Sequence, residues 1–102
     1  MINQKTLTLM KPTAFLINTS RGALVDEEAL LNALINHQIA GAGLDVQENE
    51  PPREDHPFYD MDEVILTPHM GWRGLETRQR LVDKLLDNIY AYQKGIKQNQ
   101  II

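Results

Sequence analysis

The sequence predicts an α/β fold: a parallel sheet with helices, followed by one long C-terminal helix. Three observations predict it. Short apolar runs at residues 14–17, 39–46 and 64–67 each close on polar or proline residues, as buried strands do. Helical patterns alternate with these runs, which is the signature of βαβ units and a parallel sheet. Finally, Leu81, Val82, Leu85, Leu86, Ile89 and Tyr92 form a stripe at helical spacing.

Leu7, Leu9 and Met10 suggest a helical stretch over residues 6–10, stopped before Pro12 because the residue ahead of a proline disfavours the α region. Residues 14–17 read as a buried strand, apolar throughout and closed by Asn18-Thr19-Ser20. Arg21-Gly22 then makes a turn in which Gly22 supplies positive φ. Asp26 is the expected N-cap of the next helix, with Glu27 and Glu28 placed to suit the helix dipole. Ala29, Leu30, Ala33 and Leu34 give that helix an apolar stripe, and His37 sits near its end. Residues 39–46 form a second strand ending on Asp45, and its two glycines suit a close approach by a helix or a ligand. Residues 48–62 are rich in proline and charge and read as one long loop. Residues 64–67 are the third strand, closed by Pro68. A long helix is expected from about residue 74 to about residue 94, with Gly95 as its C′ residue.

Composition excludes several classes. Zero cysteines rule out a disulfide framework, a thiol nucleophile and any thiolate-bound metal. No metal site is expected. A net charge of −4 argues against bulk nucleic-acid binding, which needs a clustered basic face. No apolar run exceeds four residues, so nothing spans a membrane, and no secretory signal pattern is present. A cytoplasmic protein is expected.

Ligands of open parallel sheets bind beyond the carboxyl ends of the strands. That rule selects Asn18-Thr19-Ser20-Arg21, then Asp45, then His69. A guanidinium at Arg21 can hold a carboxylate with two parallel hydrogen bonds, or can pair on the surface with Glu27 or Glu28. His69 can give and take a proton near neutrality, or can be an ordinary loop histidine. Asp45 ends an apolar strand and needs partners: a cofactor amide or a backbone turn would serve. A carboxylate beside His69 would orient it, but Glu48, Glu50, Glu54 and Asp55 are indistinguishable by spacing. Trp72 either walls the site or packs at the base of the long helix. The G-x-G-x-x-G phosphate turn is missing: Gly41-Ala42-Gly43 starts it, and Val46 occupies the sixth position.

Several motifs occur together in order. They are Met10-Lys11-Pro12, residues 16–22, Leu24-Val25-Asp26, residues 40–46, Asn49-Glu50-Pro51 and Leu66-Thr67-Pro68-His69. In this the chain resembles the D-isomer-specific 2-hydroxyacid dehydrogenases nearly end to end. His69-Met70-Gly71-Trp72 with Thr77-Arg78-Gln79-Arg80-Leu81 is most similar to the glycerate dehydrogenase (hydroxypyruvate reductase) branch. The resemblance implies the second half of a Rossmann-type parallel sheet with helices, plus a long C-terminal helix. Residues 1–73 would be the C-terminal half of the NAD-binding domain, and residues 74–102 the helix and tail returning to a substrate domain. It implies catalytic roles for three residues. Arg21 would bind the substrate carboxylate, His69 would exchange the proton of the carbonyl oxygen, and Glu50 would pair with His69. Thr19, Arg21, Asp45, His69 and Gly71 would lie at the cofactor, NAD or NADP, with Asp45 on the nicotinamide carboxamide. The implied substrate is a small 2-keto or 2-hydroxy acid.

The departure from the family is the missing phosphate turn and substrate domain. The isolated chain is therefore expected not to turn over. The alternative is a non-catalytic binding or regulatory module on the same fold, but keeping Arg21, Glu50 and His69 together favours enzyme ancestry. An unpaired sheet edge and an uncovered helix stripe lead to the expectation of a homo-oligomer.

Overall fold

A computed structural model describes residues 1–101; Ile102, the end of the expected tail, lies outside the described residues. Contacts divide the chain into two compact units, Met1–Met70 and the residues from Gly71 onward.

The first unit is built on a three-stranded parallel sheet in the order β1 (Phe15–Asn18), β2 (Gly41–Leu44), β3 (Val64–Leu66). Helix α1 (Gln4–Leu7) precedes it, and α2 (Glu27–Ile35) links β1 to β2. Asn3 caps α1 by accepting the Thr6 N–H, so the helix starts and ends earlier than Leu9 and Met10 suggested. Asp26 caps α2 by accepting the Ala29 N–H, as expected. His37 lies beyond α2, at φ 51°, rather than in its last turn. The α2 stripe of Ala29, Leu30, Ala33 and Leu34 is buried with Ala42, Leu44 and Phe58.

One side of the sheet faces this core; the other does not. The register places Phe15 beside Gly41, and Ile17 and Ile65 on either side of Gly43, on the second face. Phe15 is 65%, Ile17 67% and Ile65 70% exposed. The buried-strand reading of residues 14–17 is thus corrected. Apolar residues at successive positions anticipate cover on both faces, and only one face has it among the described residues.

Two further expectations are corrected. Residues 48–62 contain a 3-10 turn, Pro57–Asp60, whose Phe58 is 1% exposed and anchors the segment to the core. Gly22 does not have positive φ; it opens a second 3-10 turn, Gly22–Leu24. Its need is steric. A Cβ there would stand 1.9 Å from the Gln47 carbonyl oxygen and 2.4 Å from the Glu48 nitrogen. The loop after β1 and the loop after β2 therefore touch backbone to backbone. At Gly41 the close neighbour is likewise the chain itself: a Cβ would meet the Glu63 carbonyl oxygen at 2.5 Å.

The second unit carries α3 (Leu75–Gln93), which matches the expected helix. It ends in a Schellman motif: Gly95 N–H bonds the Tyr92 carbonyl and Ile96 N–H the Ala91 carbonyl, with Gly95 at φ 69°. The tail then returns along the helix, where the Gln98 and Asn99 side chains reach Asn88. The stripe residues Leu81, Val82, Leu85, Leu86, Ile89 and Tyr92 are exposed. No described helix is long and apolar enough to cross a membrane.

Gly22→Ala should destabilise the first unit by about 1–3 kcal/mol, the usual cost of overpacking. Urea denaturation checks this, and an unchanged midpoint would contradict the backbone contact.

Candidate active site at the strand ends

Asn18 is the last residue of β1 and is buried. Its side-chain oxygen accepts the Ser20 N–H at 3.1 Å, and its amide donates to the Arg21 carbonyl at 2.9 Å. These bonds fold residues 18–21 into a fixed turn that projects Arg21 from the sheet edge. Arg21 is exposed, and its guanidinium donates to the Ser20 carbonyl at 2.7 Å. Thr19 lies exposed in the same turn.

Asp45 follows β2 and is buried, 6% exposed. Its Oδ1 accepts the Met70 N–H at 2.9 Å and the hydroxyl of Thr67. One carboxylate thus grips both ends of the short segment after β3. Of the two partners open to Asp45 in sequence, the backbone turn is present. The gripped segment carries His69, which sits at φ 49°. A non-glycine residue in that left-handed region is uncommon and is held there by its surroundings.

The held segment aims His69 at Glu50. His69 Nδ1 lies 2.6 Å from Glu50 Oε2, with both side chains partly exposed. Glu50 Oε1 accepts the Gln47 N–H at 3.1 Å. So Glu50, which spacing could not choose among its acidic neighbours, is the carboxylate on the histidine. The His69 hydrogen bond holds the Glu50 carboxyl below its ordinary value of 4.5, and the Gln47 N–H adds to the effect. Partial burial opposes the shift; the charges of His69 and Arg21 reinforce it.

Asp45, Glu50 and His69 border one cavity of about 460 Å³, within the size range of small-molecule sites. Pro51, Pro52 and Tyr59 add to its walls. Arg21 is not a wall residue, but its charge is felt at Glu50. Gly71 belongs to the second unit and is exposed. Trp72 carries the Arg78 guanidinium over its ring at 4.8 Å, within that unit. No group of residues suited to a metal ion occurs among the described residues.

Sequence reading places Asn18 at the strand end without a role of its own, and misses Thr67 and the pair Glu27 and His56. Glu27 Oε1 accepts the Glu48 N–H at 2.6 Å, and its Oε2 lies 3.4 Å from His56 Nε2. Nothing in spacing signals these contacts, because they join elements 21 and 29 residues apart.

Residues 1–71 match the family described as D-isomer specific 2-hydroxyacid dehydrogenase, NAD binding domain. A glycerate dehydrogenase from Methylorubrum extorquens is 47% identical over 99% of this chain and 33% of its own length. A solved glyoxylate/hydroxypyruvate reductase from Sinorhizobium meliloti, complexed with NADP and malonate, is 42% identical. It covers 89% of this chain and 28% of its own, with a TM-score of 0.72. A solved D-isomer specific 2-hydroxyacid dehydrogenase from Xanthobacter autotrophicus, in complex with NADPH and MES, is 34% identical. It covers 99% of this chain and 41% of its own, with a TM-score of 0.80. The chain spans about a third of the length of the curated relatives it matches.

The Glu50 carboxyl should titrate below 4.5. Because its folded value is depressed, the pairing contributes fully above the ordinary glutamate value. That contribution is lost only as pH falls through the depressed one. Carbon-13 NMR of the side-chain carboxyl measures it. In His69→Ala the midpoint should rise toward the ordinary value, and an unmoved midpoint would sink the assignment of cause.

Proposed function

The chain belongs to the D-isomer-specific 2-hydroxyacid dehydrogenases, and from that premise we propose what it does. It is the C-terminal part of the cofactor domain of a cytoplasmic NAD(P)-dependent oxidoreductase. The substrates are a small D-2-hydroxy acid and its 2-keto acid, of the glycerate/hydroxypyruvate or glyoxylate type. The observation that carries this reading is the contact of His69 Nδ1 with Glu50 at 2.6 Å, beside a cavity at the strand ends.

The chemistry follows from the residues. An ionised Glu50 only accepts, so Nδ1 of His69 carries a proton. Proton exchange with a bound carbonyl or hydroxyl then belongs to the other ring nitrogen, Nε2. In the reducing direction the imidazolium gives that proton to the carbonyl oxygen; in the oxidising direction the neutral ring removes it from the hydroxyl. Glu50 stabilises the charged ring through both directions. Arg21 binds the substrate carboxylate, its planar guanidinium matching the two oxygens.

The donor set suits the nicotinamide end of the cofactor. Asp45 is a carboxylate fixed by its own fold contacts, at a cavity with proline and tyrosine walls. Asp45 would hold the carboxamide, with Thr19 and Gly71 close by, and the nicotinamide supplies hydride chemistry when bound. The phosphate end has no G-x-G-x-x-G in this sequence. Residues 1–73 would therefore serve as half of a cofactor domain, and residues 74–102 as the connection back to a substrate domain.

A graft tests the reading. This chain replaces the matching third of the Methylorubrum glycerate dehydrogenase. The chimera should reduce hydroxypyruvate or glyoxylate with NADH or NADPH, and His69→Gln should lower its rate by about 10²–10⁴-fold. A folded chimera whose rate ignores His69 would refute the assignment. The 102-residue chain alone should show no steady turnover in the same assay.

Association with copies of itself is part of the proposal. Phe15, Ile17 and Ile65 expose one sheet face, and the α3 stripe is exposed as well. Apolar surfaces of this kind recruit other chains. Light scattering should report a dimer or larger species at millimolar concentration; a monomer there would count against it.

A further inference from the structure

Glu27 and His56 stand outside every role assigned above, yet their side chains are only 13% and 15% exposed. The plain account of Glu27 is a first-turn carboxylate that suits the α2 dipole. Its contacts go further. One oxygen takes the Glu48 N–H, two residues before Glu50; the other faces His56 Nε2. His56 Nδ1 accepts the Phe58 N–H at 3.3 Å. A ring nitrogen that accepts carries no proton, so Nε2 holds it, 3.4 Å from Glu27 Oε2. Phe58 is fixed in the core.

A line of contacts therefore runs from the core, through an imidazole and a carboxylate, to the backbone beside Glu50. Gly22 lies against the Gln47–Glu48 backbone as well. The turn that presents Glu50 is thus gripped by the α2 carboxylate and by the loop after β1. The dyad needs such a grip, because Glu50 itself is partly exposed and its own segment has no regular structure.

We propose that Glu27 and His56 are positioning residues that fix the turn at residues 47–50 so that Glu50 meets His69. The purpose of that geometry rests on the function proposed above. Its test uses neither cofactor nor substrate, so failure of the positioning role and failure of the dehydrogenase reading are distinguishable.

The test is NMR on the 102-residue chain, reading Glu48 amide exchange and the Glu50 carboxyl titration. Glu27→Ala should speed Glu48 exchange roughly tenfold or more, as loss of a charge-assisted bond implies. It should also move the Glu50 midpoint up toward that of His69→Ala. Glu27→Gln keeps an oxygen for the Glu48 N–H and should stay closer to the parent on both readouts. Glu28→Ala removes the neighbouring first-turn charge and should change neither. His56→Ala leaves the helix start intact and should shift both in the Glu27→Ala direction by less. The proposal is overturned if Glu28→Ala matches Glu27→Ala, or if Glu27→Gln is as damaging as Glu27→Ala. It is also overturned if His56→Ala leaves both readouts at the parent values, a comparison that stands even where Glu27→Ala does not fold.

Discussion

The contact between an imidazole and a carboxylate, His69 to Glu50, is the constraint around which the strand ends are arranged. The two residues come from different loops, 19 positions apart. Neither loop is regular, so each must be held by something else. Asp45 holds the histidine loop through Met70 and Thr67. Gly22 and Glu27 hold the glutamate loop at its backbone. The parallel sheet brings all three loops to one edge, because every strand of it exits on the same side.

These supports differ in kind. The Asp45 bonds are made by a buried carboxylate, where an unmet partner would be costly. The Gly22 contact is purely steric and depends on a missing side chain. The Glu27 contact is electrostatic and stands at a helix N-terminus, which favours the charge it uses. Three devices of different kinds, all supplied by the chain itself, thus converge on the two loops.

Much of this was legible in the sequence. Each strand appeared as an apolar run, and the residue closing each run marked the edge where Arg21, Asp45 and His69 now stand. The long helix was readable to its cap, because the stripe and Gly95 agree. Other features were not legible, for physical reasons. Glu50 stood among equivalent carboxylates, and only the path of the loop selects it. The 3-10 turn at Phe58 hid in a proline-rich stretch whose one anchor has no periodicity. Gly22 showed that a glycine was needed, but not that the reason was a backbone from the next loop. The exposure of Phe15, Ile17 and Ile65 could not be read, since an apolar strand looks the same whether one face is covered or two.

The decisive point is whether Glu50 fixes the proton on Nδ1 of His69. Nitrogen-15 NMR of the His69 ring in the 102-residue chain, near neutral pH, tests it most directly. Nδ1 should be protonated, and its signal should change when Glu50 is replaced by Ala. A neutral ring protonated only at Nε2, insensitive to that replacement, would contradict it.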